Sequence, residues 1–479
     1  MKIIMAAAEC VPFAKTGGLA DVIGALPKEL TEYGHDVTVF MPKYGLIPEK
    51  FVKEFSLLEE IAVPFSGEQK KCAVFQYRNE NVRYLFLGNP EYYERSQIYS
   101  QADDGERFGF FNIAVLTVMK QLELKADIIH VHDWHAAVIP LLLKEDSRFK
   151  ALGAGSKTVL TIHNLQFQGA FPKSVFTDGF GLEGSQFEGG SIEWNGKYNM
   201  LKTGILYADK VTTVSPSYRD EIVTAQYGEG LEKVLQKRGG DLVGILNGLD
   251  TEFYNPATDL AIEMEFDRSS IEGKAVNKRS VQSLMGLPVK GHIPLTIMIS
   301  RLAGQKGIDV LEEALPALLQ SNDMQFVLLG SGEEKFEEFF LNLAKQYPDK
   351  VAVHIGFDEN LAHQLYAGAD IFLMPSHFEP CGLSQLISMY YGTVPVANKT
   401  GGLKDTVVEY DRRTKTGNGF LSDFSRNSPF NEAVERALTL YQESEHWEVI
   451  KQNGMKADYS WKKSANAYEA LYQKLIKER

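Results

Sequence analysis

Lys15-Thr16-Gly17-Gly18-Leu19 returns near the other end of the chain as Lys399-Thr400-Gly401-Gly402-Leu403. Each copy follows an apolar run of strand character, 3–8 in the first case and 394–397 in the second, and precedes a helical stretch. A glycine pair between strand and helix predicts a turn that leaves backbone N–H groups and one Lys at a helix N-terminus, which suits an anion. One such copy is as readily a plain turn. Two copies predict two α/β halves serving one anionic ligand.

Outward from these copies, short β-rich runs alternate with longer amphipathic ones, the pattern of parallel sheets covered by helices. The runs end in polar or glycine residues: 128–131 in His132-Asp133-Trp134-His135, 158–162 in His163-Asn164, and 243–246 in Asn247-Gly248. In the second half, 295–299 ends in Ser300-Arg301, 326–329 in Gly330-Ser331-Gly332, and 371–374 in Pro375 and then Glu379. Ligands of open α/β sheets bind outside the carboxyl ends of the strands, so two such sheets predict one cleft. The expected division is 1–250 for the first domain and 251–459 for the second, with a polar stretch to about 290 read as a linker carrying a short helix. Residues 460–479 carry Trp461, Ala465, Tyr468, Leu471, Tyr472 and Leu475 at helical spacing. This stripe predicts a terminal helix crossing back to the first domain, or else a dimer contact. Segments 96–107 and 178–196, polar or glycine-rich, read equally as lids or as passive insertions.

At 479 residues the chain exceeds one hydrophobic core. A net charge of −13 argues against nucleic acid or an anionic membrane as the main partner. Cys10, Cys72 and Cys381 are too few and scattered for a disulfide framework, and no apolar run approaches membrane-span length, so a cytoplasmic location is expected.

Arg301 and Lys306 stand in the turn between a strand and a helix, where two fixed cations suit a pyrophosphate and would stabilise it as a leaving group. Glu379-Pro380-Cys381-Gly382-Leu383 places a carboxylate beside free helix N–H groups, either to accept from sugar hydroxyls or simply to cap the helix. His130, His132 and His135 resemble a metal set, but only Asp133 lies nearby to complete it, and structural or substrate-bonding roles are preferred. No Asp-x-Asp pair exists to hold a divalent cation against a diphosphate. Gly330-Ser331-Gly332 lacks the third glycine of a dinucleotide fingerprint, Lys335 standing in its place.

The motif Lys15 to Asp21, His132-Asp133-Trp134-His135, His163-Asn164, Asn247-Gly248-Leu249-Asp250, Ser300-Arg301-Leu302 with Lys306-Gly307, and Glu379 to Leu383 together closely resemble the bacterial glycogen synthases and plant starch synthases that use ADP-glucose. The resemblance covers essentially the whole chain. It implies an α/β GT-B fold, two Rossmann-like domains with parallel sheets facing across a deep cleft. It implies retaining transfer of glucose from ADP-glucose to the non-reducing end of an α-1,4-glucan, with no metal cofactor. Lys15, His163, Arg301, Lys306 and Glu379 would be catalytic. Lys15, Gly18, Arg301, Lys306, Phe357, Cys381, Gly382, Leu383, Thr400, Gly401 and Gly402 would bind the donor. Asp21, Tyr93, Asp133, Trp134, His163, Asn247 and Glu379 would form the sugar and acceptor subsite. Many related GT-B enzymes carry a second Glu eight positions after the one matching Glu379; here Ile387 stands there, and front-face attack is the preferred mechanism. A non-catalytic glucan-binding or regulatory protein, or a transferase or phosphorylase using another glucosyl donor, is the alternative.

Overall fold

The computed structural model describes residues 1–181, 192–424 and 429–478. The chain forms two compact units, Met1–Gly248 with Trp461–Arg479, and Leu249–Ser460. The division falls two residues before the expected 250, at Gly248.

In the first unit the strands are β1 Lys2–Ala6, β2 Asp36–Pro42, β3 Ser56–Phe65, β4 Glu68–Asn79, β5 Val82–Gly88, β6 Ile128–His132 and β7 Lys157–Ile162. A small sheet of β8 Ala170–Phe171, β9 Glu193–Trp194 and β10 Lys197–Asn199 intervenes before β11 Lys210–Thr213 and β12 Leu242–Gly244. The main sheet runs β12-β11-β7-β6-β1-β2-β5-β4-β3. It is parallel from β12 to β5, with β4 and β3 added antiparallel. The antiparallel addition departs from the purely parallel expectation: the two-residue turn Ser66-Gly67, both at positive φ, lets β3 and β4 pair as a hairpin. Strand order reverses between β1 and β6, so the loops after these two strands flank the crevice where an open α/β sheet takes its ligand.

The helix Trp461–Lys477 buries all six residues of the aromatic stripe within the first unit. It packs beside the helix Gly18–Glu32, with Tyr33 donating to Asn466 (2.7 Å) and Ser464 to the Leu246 carbonyl (2.6 Å). Each large apolar side chain so covered contributes about 1.5–3 kcal/mol. The stripe is not an open dimer face.

The second unit is one parallel sheet, β15-β14-β13-β16-β17-β18, built from β13 Leu295–Ile299, β14 Gln325–Gly330, β15 Val351–Ile355, β16 Ile371–Met374, β17 Val394–Asn398 and β18 Phe420–Ser422. Apolar clusters form around Phe326, Phe340 and Leu315 and around Val327, Phe372 and Tyr366. In chain order the strands run 3-2-1-4-5-6, the doubly wound order, with its switch point between β13 and β16.

The stretch read as a linker is part of this unit. Its helix Gly273–Leu284 buries Lys274, Asn277, Lys278 and Gln282. The Lys274 ammonium donates to the carbonyls of Tyr366, Ala367 and Tyr391 and to the Thr393 hydroxyl, while Lys278 meets Asp370 at 2.7 Å. Polar side chains face inward because each finds partners there, which inverts the hydropathy pattern.

Candidate functional site

In the first unit the loop after β1 carries the first Lys-Thr-Gly-Gly-Leu. Glu9, buried at 3% exposure, takes the backbone N–H of Thr16 and of Gly17 (3.2 Å) and the Thr16 hydroxyl (2.7 Å). The expected free N–H groups at the start of this turn are therefore partly engaged by the chain's own carboxylate. Around Gly17 and Gly18 an added Cβ would meet nothing within 4 Å, and neither residue needs a positive φ. The space over these glycines is open, as close approach of a ligand to backbone requires. Lys15 is 40% exposed at its side chain and reaches Asp21 at 2.7 Å.

After β6, Asp133 adopts φ 53, a left-handed conformation that Asp tolerates better than most residues. There its carboxylate accepts from the His163 backbone N–H at 2.7 Å, joining the ends of β6 and β7. His132 Nδ1 and His163 Nε2 pair at 3.0 Å. His130 bridges the Tyr472 hydroxyl (2.7 Å) and the Thr161 hydroxyl (2.6 Å), and His135 stacks on Tyr99. The three histidines of the sequence pattern thus serve three different contacts. Among the described residues no three His, Cys, Asp or Glu side chains are grouped to hold a metal ion.

Trp134, 7% exposed, is packed by Phe108, His135 and Phe171, and a Cβ on Gly169 would stand 2.4 Å from its ring. Asn247 follows β12, 4% exposed, with its side-chain oxygen buried and without a hydrogen-bond partner among the described residues. Tyr93 departs from expectation. It has no exposed surface and donates to the Arg107 carbonyl at 3.0 Å, so it packs the core beneath the site and cannot touch a sugar. Segment 96–107 is pinned: Arg95 pairs with Asp103, Arg107 donates to the Ile98 carbonyl, and the Tyr99 hydroxyl donates to Glu9 at 2.5 Å. Residues 182–191 of the other supposed lid lie outside the described residues.

Burial governs protonation here. It lowers His130 and His163 to about 3 and pushes His132 and His135 well below their usual value, so all four rings are neutral at pH 7. It raises Asp133 from 3.8 to about 7, opposed by the backbone N–H groups of His163 and Asn164. A raised carboxyl contributes stability that is full below its unfolded value and lost as pH climbs through the folded one. The histidines act with the opposite sign, losing stability as pH falls below about 6.5. Relative to wild type, Asp133→Asn is therefore expected to gain stability between pH 5 and pH 8, by up to about 1.4 kcal/mol per pH unit below 7. Urea unfolding midpoints across that range read the difference; a constant offset between the two proteins contradicts it.

In the second unit Arg301 follows β13, exposed, its guanidinium without a partner among the described residues. Lys306 ends a single turn of 3-10 helix, and Gly307 next to it (φ 71) would place a Cβ 2.0 Å from the Pro375 carbonyl. That contact fits the loop after β13 tightly to the loop after β16. It brings Lys306 to Glu379 at 2.6 Å, with Ser376 donating to the same oxygen at 3.2 Å. Two residues assigned separate tasks from the sequence, phosphate and sugar, form one ion pair. Gly382 turns at φ 74, Leu383 precedes the helix Ser384–Tyr390, and Cys381 is 5% exposed. Phe357, 82% exposed after β15, is available as a stacking surface.

The second Lys-Thr-Gly-Gly-Leu differs from the first. Thr400 and both glycines are buried, the Gly402 N–H donates to the Glu379 carbonyl (3.0 Å), and a Cβ at Gly402 would stand 2.1 Å from the Cys381 carbonyl. This copy is packed closely against the Glu379 segment. Gly402→Ala is expected to destabilise by about 1–3 kcal/mol through overpacking against backbone, whereas Gly17→Ala, in open space, moves the chemical-denaturation midpoint far less. Similar losses at both positions contradict the asymmetry.

Residues 2–237 match the family described as the starch synthase catalytic domain, and residues 287–456 match glycosyl transferases group 1. The chain is 47% identical over 477 residues to glycogen synthase of Bacillus subtilis strain 168, covering 100% of this chain and 99% of that one. It is 46% identical over 479 residues to glycogen synthase of Geobacillus thermodenitrificans, covering 98% of that protein. A solved catalytic domain of starch synthase IV from Arabidopsis thaliana, bound to ADP and acarbose, superposes with a TM-score of 0.93 at 35% identity, covering 99% of each chain.

Proposed function

Since the chain belongs to the glycogen synthase family of GT-B glycosyltransferases, we propose that it transfers glucose from ADP-glucose to the non-reducing end of an α-1,4-glucan, retaining configuration and releasing ADP. The observation that carries this reading is positional. In each unit the candidate residues occupy the loops on either side of the sheet's switch point, Lys15 after β1 and Asp133 after β6, then Arg301 and Lys306 after β13 and Glu379 after β16.

In this reading Lys15 and the Gly18 backbone on the first unit, and Arg301 and Lys306 on the second, neutralise charge developing on the departing diphosphate. Glu379 and the Cys381-Gly382 backbone take glucose hydroxyls, Asp21, Asp133, Trp134, His163 and Asn247 shape the sugar subsite, and Phe357 stacks on adenine. The acceptor hydroxyl attacks C1 on the face that ADP leaves; the C1–O bond to phosphate breaks as the new glycosidic bond forms, and the departing phosphate oxygen takes the proton. Ile387, 5% exposed within a core cluster, offers no second carboxylate to that chemistry. A covalent glucosyl adduct trapped on any carboxylate would overturn the front-face step. The fixed cations do the work of a divalent metal, so none is required in this proposal. No helix among the described residues is long and apolar enough to cross a membrane, and a cytoplasmic location is part of the same reading.

The test is turnover on a maltooligosaccharide with ADP-glucose, UDP-glucose or glucose 1-phosphate, with and without EDTA. ADP release is expected to dominate and to survive chelation. Faster UDP or phosphate release overturns the donor, loss on chelation restored by Mg²⁺ overturns the metal-free step, and no release from any donor overturns the enzyme.

A further inference from the structure

The mechanism above leaves unused a buried carboxylate of the first unit. Glu9 follows β1 by three residues and accepts four hydrogen bonds. One oxygen takes the successive N–H groups of Thr16 and Gly17; the other takes the hydroxyls of Thr16 and Tyr99. Two successive N–H groups converging on one oxygen form an anion-holding concavity. Here it is filled from inside by the protein. The outer side of Gly17 and Gly18 stays open, and Lys15 stays 40% exposed. Burial, with the Glu9 charge second, holds the Tyr99 hydroxyl protonated as a donor. Tyr99 in turn stacks on His135 (ring centroids 4.8 Å), which lies 4.0 Å from Trp134. A single carboxylate therefore ties the Lys15 turn to the wall that carries Trp134.

We propose that Glu9 is a positioning residue for glucosyl transfer: it fixes the Lys15–Gly18 turn in the shape that presents Lys15 and the open glycine backbone to the donor diphosphate, without itself touching the donor. The inference rests on the reading of the site as an ADP-glucose site. Removing the carboxylate frees the turn, so the entropy of reordering it is charged to donor binding and to the transition state. Glu9→Gln preserves shape. Its carbonyl can keep the two N–H bonds while its amide faces two hydroxyls able to accept, so the fold is retained and the grip is weakened.

The experiment is a double-mutant cycle on kcat/KM for ADP-glucose with Glu9→Gln and Lys15→Ala, alongside KM for the glucan, ADP affinity by calorimetry, and thermal midpoints. The expected result is a loss of kcat/KM of roughly 10–100-fold in Glu9→Gln, with weaker ADP binding and an unchanged glucan KM, shrinking to about two-fold or less in the Lys15→Ala background. Full additivity of the two substitutions, or an undiminished kcat/KM in Glu9→Gln, overturns the proposal. Should Glu9→Gln fail to fold, Thr16→Val and Tyr99→Phe each remove one hydroxyl contact from the same carboxylate. Their losses must then also vanish in the Lys15→Ala background, and additive losses overturn the proposal equally. A wild-type protein inactive with ADP-glucose refutes the assigned reaction instead, a result the cycle cannot mimic.

Discussion

Lys15→Ala is expected to lower kcat for glucosyl transfer by about 10²–10³-fold while moving the thermal midpoint by no more than roughly 2 °C. The two effects separate because the lysine does two unequal jobs. Its pairing with Asp21 joins side chains that are 40% and 22% exposed, and such pairs are worth about 0–1 kcal/mol once screened by water. In the proposed reaction the same charge faces the leaving diphosphate as negative charge develops, and one preorganised contact of that kind is worth about 3–4 kcal/mol. Arg301→Ala belongs to the same class, since its guanidinium has no partner within the described fold whose loss could destabilise it. Single-turnover rates set beside thermal unfolding check the pair of claims. A midpoint falling in step with activity would show that either cation is structural.

Lys306→Ala is expected to damage both properties. Its pair with Glu379 is largely buried, with side chains 18% and 8% exposed, and deleting one member leaves the other charge desolvated, a loss of about 3–5 kcal/mol. Glu379→Ala leaves Lys306 in the mirror situation, although Lys306 is the more exposed partner and can turn to water. The double variant Lys306→Ala/Glu379→Ala removes both charges. It is expected to regain part of the stability lost in either single variant while remaining without turnover, the signature of a coupled pair. Denaturant midpoints of the four proteins read the coupling, and additive losses would show that the 2.6 Å contact carries no energy. In the proposed reading, where Glu379 takes a sugar hydroxyl, its carboxylate is one that the Lys306 ammonium already holds in the fold.

The segments that carry the candidate residues were legible because they follow apolar runs, and a strand's end is visible in sequence as a change from apolar to polar. The paired Lys-Thr-Gly-Gly-Leu was legible as a pair of strand-to-helix turns, but the different packing of the two copies was not. Identical residues face open space at Gly17 and Gly18 and the Cys381 carbonyl at Gly402. Tyr93, placed in the sugar subsite by the family resemblance alone, instead satisfies a carbonyl inside the core with its hydroxyl. The short helix expected in the polar stretch exists as Gly273–Leu284, but its buried polar face was hidden. Hydropathy reads a lysine as solvent-facing, and Lys274 is buried because four acceptors from distant segments converge on it. Glu9 carried the least signal of all. It is a single acid ending an apolar run, and its partners Thr16 and Tyr99 lie 7 and 90 residues away.

The sequence by itself determined the two α/β halves and the chemical types brought to the ends of the strands it marked, because hydrophobic periodicity and glycine placement are local properties of the chain. Only the tertiary structure decided which of those groups are engaged with one another. Lys306 rests on Glu379, Lys15 on Asp21, and the turn of Lys15 on Glu9, and all four histidines are stripped of their charge by burial. Charge, hydrogen bonding and exposure depend on what approaches within a few ångströms, and the partners that approach here come from different loops of the folded chain.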